Sequence, residues 1–185
     1  MKRIAILTIA IFAALNFNAS SAQTFHVSSI DIPQNNQLTE RQVFQGFGCS
    51  GGNNSPQLAW QNPPEGTKSF AITVYDPDAP SGSGWWHWTV VNIPASVNAI
   101  PSDAGNAVKN TLPEGAIQGR NDFGYSGFGG ACPRPGDKPH RYQITVWALS
   151  TDKLPIDSNA SGALVGYMLN SNVIAKTELT ATYGR

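Results

Sequence analysis

The side chains of this sequence that are best suited to acid–base chemistry or to anion binding belong to Asp76, His87 and His140. Each lies at one end of an apolar stretch and shares a strand face with a core residue, because side chains alternate with a period of two. The in-phase pairs are Asp76 with Val74, His87 with Val91, and His140 with Ile144. A carboxylate or imidazole on a buried face needs hydrogen-bonding partners. We therefore expect the three strand ends to meet in one pocket.

One carboxylate and two imidazoles in a pocket suit a small anion. Both rings can donate hydrogen bonds to oxyanion oxygens, most strongly when protonated, and a neighbouring carboxylate favours the protonated ring. Trp85 is in phase with His87, and Tyr142 is in phase with His140, so the two aromatic rings are expected to form a wall of the pocket. The "GFGG" run, residues 127–130, could present backbone N–H groups to the anion.

Other interpretations of the same residues have less support. Two histidines and a carboxylate can bind zinc or iron, but the short H-x-x-x-H spacing is absent, and we predict no metal site. No catalytic residues are predicted, because "GYSGFGG" places its serine outside the G-x-S-x-G pattern. Asp76 and Asp78 also fit simple turn-forming roles in "DPDAP", with Arg141 as the expected partner of Asp78. Trp86 and Trp88 are expected in the core.

The elements that must position these residues are mostly strands. Alternating apolar residues predict strands at residues 24–32, 68–76, 85–93, 140–149 and 178–183. A helix is predicted over residues 160–179, with Leu164, Met168, Leu169 and Val173 as its apolar stripe and Ser158 or Ser161 as its cap. Long loops rich in glycine and proline separate these elements and are typical of functional loops. The pattern predicts a single, mainly β domain.

The N-terminal segment has the composition of a secretory signal peptide. Lys2 and Arg3 precede an apolar run from Ile4 to Leu15, and small residues end at Ala22. We predict a signal peptide over residues 1–22, a domain over residues 23–185, and a periplasmic or secreted protein without a transmembrane segment. Loss of Lys2 and Arg3 leaves ten basic and twelve acidic residues, so no basic cluster favours nucleic acid.

Cys49 and Cys132 are the two cysteines of the chain. Export would permit a disulfide between them, and the even count favours one. A zinc site is the alternative, although two cysteines without C-x-x-C spacing support it weakly. We predict a Cys49–Cys132 disulfide.

Three blocks together resemble the phosphatidylethanolamine-binding proteins, also called the Raf-kinase-inhibitor-like family. They are "DPDAP", "WWHWTVVNIP" and "GDKPHRYQITVWAL", preceded by "GCSGGNNSPQLAW" as in the bacterial branch, and the likeness covers residues 25–183. The resemblance implies a β-sandwich with a few short helices and a small pocket for phosphate-like anions and phospholipid head groups, with no cofactor. The implied ligand-binding residues are Asp76, Pro80, Trp85, His87, Pro133, His140 and Tyr142. Backbone groups of residues 129–133 are implied at the rim.

The resemblance leaves three functional hypotheses. The first is a secreted or periplasmic protein that binds a small anionic or phosphorylated ligand. The second is a protein partner recognised through the loop surface, as in inhibition of a kinase or protease or modulation of a host signal. The third is an enzyme in which His87 or His140 performs acid–base work. Dimeric bacterial relatives leave a homodimer open, although no residue pattern marks an interface.

Overall fold

A computed structural model describes residues 23–33, 36–109 and 111–185 of the chain. Within these ranges the chain forms ten β-strands, one α-helix and one short 3-10 helix. The predicted signal peptide, residues 1–22, lies outside these ranges. The strands are β1 (His26–Ser28), β2 (Gln45–Gly46), β3 (Cys49–Ser50), β4 (Leu58–Gln61), β5 (Ser69–Asp76), β6 (Trp85–Pro94), β7 (Ala99–Ile100), β8 (Ile117–Gln118), β9 (His140–Leu149) and β10 (Val173–Tyr183). The 3-10 helix is Glu40–Gln42, and α1 is Gly162–Asn172.

The strands form two facing sheets and a separate hairpin. The larger sheet has the order β10-β9-β5-β6-β8, the smaller has the order β1-β4-β7, and β2 pairs with β3. Neighbouring strands are antiparallel throughout. The main core lies between the two sheets, where Leu58 and Trp60 of β4 meet Phe70 and Ile72 of β5. The predicted mainly β, single-domain sandwich is confirmed.

The central strands are buried on both faces, so their sequences are more apolar than simple alternation requires. In β5, Phe70 and Ile72 face the smaller sheet, whereas Ala71 belongs to a second core with Val165 and Leu169 of α1. The helix therefore forms a third layer on the outer face of the larger sheet.

The predicted helix over residues 160–179 is too long. It begins after Ser161, whose side chain accepts a hydrogen bond from the Leu164 backbone N–H as predicted, and it ends at Asn172. The chain then continues as β10, which pairs with β9 from Val173 to Tyr183. The β-branched residues after Asn172 suit this strand, and pairing with β9 decides the boundary.

The apolar stripe assigned to that helix is also partly wrong. Val165 and Leu169 are fully buried, whereas Leu164 is 46% exposed and Val173 is 36% exposed in β10. Trp86 also packs closely against Gly162 at the start of the helix.

A disulfide joins Cys49 of β3 to Cys132, with 6.0 Å between the two Cα atoms, as predicted. Both sulfur atoms are therefore occupied, and the zinc alternative for this pair is wrong. Within the described ranges, no helix is both long enough and apolar enough to cross a membrane.

Candidate functional site

The end of β5 and the starts of β6 and β9 meet at one end of the larger sheet. The antiparallel register pairs Asp76 with Trp85 across β5 and β6, and Tyr75 with Gln143 across β5 and β9. Strands that run in opposite directions place the last residue of one beside the first residues of its neighbours. The structure thus brings together Asp76, His87 and His140, which are 3%, 3% and 5% exposed.

Asp76 uses its two carboxylate oxygens for different tasks. Oδ1 accepts hydrogen bonds from the backbone N–H groups of Asp78 at 2.8 Å and Ala79 at 3.0 Å. Oδ2 accepts a hydrogen bond from Nδ1 of His140 at 2.7 Å. Asp76 therefore forms the predicted turn and also lies at the lining of a cavity, where a role in ligand binding stays a prediction. A carboxylate held at both oxygens keeps the His140 ring in a fixed orientation.

His87 is buried with one ring nitrogen committed to the backbone. Nδ1 lies 2.7 Å from the Gly129 carbonyl oxygen, which can only accept, so Nδ1 carries a hydrogen. Burial lowers the pKa of His87 below its ordinary value of 6.5, and the Gly129 carbonyl and the Asp76 carboxylate oppose that effect only in part. The neutral ring therefore has a lone pair on Nε2.

His140 lies between two carboxylates. Besides the bond to Asp76, its Nε2 is 3.5 Å from Oδ2 of Asp137. Asp137 in turn accepts from Arg134 Nε at 3.0 Å and Arg134 Nη2 at 3.2 Å. These contacts connect the buried Asp76 to the exposed Arg134 through alternating acidic and basic groups. A protonated His140 ring can donate in both directions along this series.

A cavity of about 140 Å³ opens beside these groups. Its polar lining consists of Asp76, His87, Arg134 and His140. Its apolar lining consists of Phe47, Ala79, Pro80, Trp85, Phe123, Cys132 and Pro133. Six of the residues implied by the resemblance are among these, namely Asp76, Pro80, Trp85, His87, Pro133 and His140. Mostly apolar walls with a few converging polar groups are typical of a binding site for small molecules.

Tyr142 does not line this cavity, in contrast to the expectation from its phase with His140. It is only 1% exposed and lies in the main core behind His87, with ring centroids 5.1 Å apart in an edge-on arrangement. Burial raises the pKa of Tyr142 far above its ordinary value. Its place in the structure is to support the His87 ring from behind.

Three of the four backbone N–H groups in the "GFGG" run are bonded within the fold. The Gly129 N–H donates to the His87 carbonyl at 2.9 Å, and the Gly130 N–H donates to Asn53 Oδ1 at 2.7 Å. The Phe128 N–H donates to the carbonyl of Gly105. These three donors are already used within the fold and are not free for an anion, so they do not support the expected role of the "GFGG" run. Its role is to hold His87.

Two aromatic residues of the cavity were missed by the sequence analysis. Phe123 lies in a loop and stacks on Phe44 with ring centroids 3.9 Å apart, and it also contacts Trp85 and His87 edge-on. Phe47 lies at a hairpin turn and contacts Phe123. Neither belongs to a periodic strand pattern, so no local signal in the sequence marks them.

Two further side-chain predictions, the core position of Trp88 and the Asp78–Arg141 pair, are confirmed, whereas the expected core position of Trp86 is not. Trp88 is fully buried, and Trp86 is partly buried between Tyr75 and the start of α1. Arg141 donates to Asp78 at 2.7 and 2.9 Å, and these bonds lower the pKa of Asp78 to about 2. No group of three or more His, Cys, Asp or Glu side chains in the described ranges has the arrangement of a metal site.

Comparison with known proteins identifies the family. The sequence profile of the phosphatidylethanolamine-binding proteins matches residues 28–184. The chain belongs to this family. It is 62% identical to the YbcL protein of Escherichia coli K12 over 183 residues, which cover 99% of this chain and 98% of that protein. The YbhB protein of the same organism is 46% identical over 155 residues, covering 84% of this chain and 97% of that protein.

Solved structures agree with the family assignment and the fold. The crystal structure of E. coli YbcL, described as a new member of the mammalian PEBP family, superposes with a TM-score of 0.85 at 66% identity and covers 87% of this chain and 98% of that one. The Chlamydia trachomatis homologue CT736 has a TM-score of 0.72 at 25% identity, covering 87% of this chain and 97% of that one.

Proposed function

We propose that this protein binds a small anionic or phosphorylated ligand, such as a phospholipid head group, in the cavity at the end of β5. The observation that carries the proposal is the meeting of Asp76, His87 and His140 in one aromatic-walled cavity. Membership of the phosphatidylethanolamine-binding protein family supports the same ligand class.

The size of the cavity favours a head group over a whole lipid. Sites for drug-sized ligands occupy roughly 300–1,000 Å³, whereas this cavity has about 140 Å³. Aliphatic chains would have to remain outside, near the exposed Phe47.

The cavity can hold an anion if the His87 ring is protonated when the anion binds. In the neutral state, the His87 ring presents a lone pair at Nε2, because its Nδ1 hydrogen is bound to Gly129. A protonated His87 would donate to an oxyanion in a buried setting, where a charge-assisted hydrogen bond is strong. Arg134 at the mouth of the cavity adds a second positive group, partly offset by Asp137.

Calorimetric titration with glycerophosphoethanolamine at about pH 6.5, near the ordinary pKa of histidine, tests the proposal. We expect saturable binding in the presence of a chelator, and at least about tenfold weaker binding by His87→Ala, since one charge-assisted hydrogen bond is worth about 1.5–3 kcal/mol. The Lys153→Ala variant, altered at an exposed lysine outside the cavity, is the matched control. Equal affinity in His87→Ala, or no binding by the unaltered protein, would contradict the proposal.

We also propose export of the chain with removal of residues 1–22. The disulfide supports this proposal, because such bonds persist in oxidising compartments. Mass spectrometry of the purified protein after expression of the full chain in a bacterial host tests it. A mature N-terminus at Gln23 in the periplasmic fraction is expected, and an intact N-terminus in the cytosol would contradict it.

A further inference from the structure

The mouth of the cavity is bordered by the hairpin of β2 and β3, which presents Phe47 to the cavity. Gly46 pairs with Cys49, so Phe47 and Gly48 form a two-residue turn. Both have positive φ angles, 53° and 77°. That conformation suits a tight hairpin but is unfavourable for a bulky residue such as phenylalanine. Phe47 nevertheless occupies it, 72% exposed, while contacting Phe44 and Phe123.

Two independent links connect this turn to the opposite rim. The disulfide joins Cys49 to Cys132. The Arg185 guanidinium donates from Nη1 to the Gly48 carbonyl at 2.6 Å and from Nε to the Pro133 carbonyl, also at 2.6 Å. Adjacent residues on the hairpin, 48 and 49, are thus tied to adjacent residues on the rim, 132 and 133. Cys132 and Pro133 themselves line the cavity.

We propose that Arg185 and the Cys49–Cys132 disulfide are parallel positioning elements that hold Phe47 across the mouth of the cavity. This inference rests on the proposed function in one respect, namely that the ligand binds in this cavity. Each link restrains the same short turn, so either link alone keeps the hairpin near the rim. Loss of both lets the strained turn relax and move Phe47 away.

The positioning role of Arg185 depends on its planar, forked geometry. A guanidinium can donate to two carbonyl oxygens on different segments at once, whereas a lysine ammonium is a point donor on a flexible stem. Arg185→Lys keeps the positive charge but is expected to lose the bridge. If only the positive charge mattered, hairpin exchange in Arg185→Lys would equal that of the unaltered protein.

The test compares hydrogen exchange of the amides of residues 44–51 in ligand-free protein. The variants are Arg185→Ala, Arg185→Lys, Cys49→Ala/Cys132→Ala, and the combination of Arg185→Ala with the double cysteine change, each in the full chain. Exchange rates are normalised to amides of the β5–β9 pair, which report global opening. Lys153→Ala removes a positive charge elsewhere and serves as the control.

We expect each single break to raise hairpin exchange by less than about fivefold. In the combined variant, the increase in the exchange rate should exceed the product of the two single increases by about tenfold, because links that restrain one element are coupled. Arg185→Lys should match Arg185→Ala, and Lys153→Ala should match the unaltered protein. The proposal would be overturned if the two effects simply multiplied, or if Arg185→Ala left hairpin exchange unchanged with and without the disulfide.

A second measurement separates this inference from the proposed function. The dissociation rate of glycerophosphoethanolamine should rise in the same order as hairpin exchange, because Phe47 no longer covers the mouth through which the ligand leaves. Dissociation that is equal in all variants, despite changed exchange, would overturn a role for Phe47 at the ligand. Absence of ligand binding in the unaltered protein would contradict the proposed function, while the exchange data would still decide the positioning role.

Discussion

The two histidines of the site differ in what they can offer a ligand. His140 is held between the carboxylates of Asp76 and Asp137, so its protonated ring has acceptors on both sides. His87 has only a neutral carbonyl on Nδ1 and is kept neutral by burial, which lowers its pKa. Among the groups around His87, the Asp76 and Asp122 carboxylates favour the charged ring, but burial outweighs them. An anion in the cavity would reverse this balance.

Binding of an anion should therefore be coupled to proton uptake by His87. We expect the affinity for glycerophosphoethanolamine, whose phosphodiester keeps a constant charge, to fall as pH rises, by up to about tenfold per pH unit where one proton is taken up. Below the pKa of free His87 the ring is already charged, and the affinity should level off. Calorimetry between about pH 5 and pH 8 measures this dependence.

His87→Asn is the diagnostic variant for this prediction. Its amide can still donate to the Gly129 carbonyl but cannot take up a proton. Its affinity should be lower and nearly independent of pH over the same range. A flat profile for the unaltered protein, or an equally steep one for His87→Asn, would show that His87 is not the group that titrates.

The same burial makes His87 a source of pH-dependent stability. Its pKa is lower in the folded chain than in the unfolded chain, so the unfolded state binds more protons as pH falls below the ordinary value of 6.5. The stabilisation is thus complete above that pH and is lost as pH falls towards the folded pKa. Urea midpoints should fall more steeply between about pH 7 and pH 5 for the unaltered protein than for His87→Asn.

At the scale of elements, α1 packs through glycine against β6. A Cβ on Gly162 would lie 2.1 Å from the Trp86 Cγ atom, at the root of a bulky ring that cannot move aside easily. A Cβ on Gly166 would meet the same indole at 3.6 Å, an ordinary contact. The close approach at Gly162 lets the helix cover Trp86, which lies one residue from His87.

These two glycines should respond in opposite directions to alanine. We expect Gly162→Ala to lower the free energy of unfolding by about 1–3 kcal/mol through overpacking. Gly166→Ala should raise it by about 0.5–1 kcal/mol, because alanine favours the helix interior. Urea denaturation monitored by tryptophan fluorescence measures both. Equal effects would contradict the close contact with Trp86.

The end of α1 also shows how side chains compete with the helix backbone. Asn170, Ser171 and Asn172 donate to the carbonyls of Gly166, Tyr167 and Met168, four residues earlier in each case. In an α-helix these carbonyls already accept the backbone N–H groups of the same three residues, so the side chains compete with the helix ladder near its end. The chain can therefore leave the helix at Asn172 and join β9 as an edge strand.

At the scale of the whole molecule, the disulfide closes a loop across 83 residues and ties the hairpin to the rim. In the chain-entropy model, a loop of this length stabilises the fold by about 4.5 kcal/mol. We expect Cys49→Ala/Cys132→Ala to lose about 2–5 kcal/mol in urea unfolding without reductant, while its fold is retained because the two main cores contain neither cysteine. If the variant were as stable as the unaltered protein, the expected contribution of the disulfide to the free energy of unfolding would be contradicted.

Local patterns in the sequence determined much of this protein. The period-two alternation identified β5, β6 and β9, because side-chain direction within a strand depends only on neighbouring residues. The same alternation marked Asp76, His87 and His140 as polar groups on buried faces, and the motifs around them identified the family. Loop glycines and the even cysteine count likewise indicated turns and a disulfide without reference to tertiary contacts.

Only the tertiary structure decided what those groups touch. The partner of His87 is 42 residues away, and that of His140 is 64 residues away, so the protonation state of His87 and the orientation of His140 depend on long-range packing. Phe47 and Phe123 enter the cavity from aperiodic loops, whose course is set by contacts outside the loops themselves. The boundary at Asn172 follows from pairing with β9, since helix and strand propensities there are too close to decide.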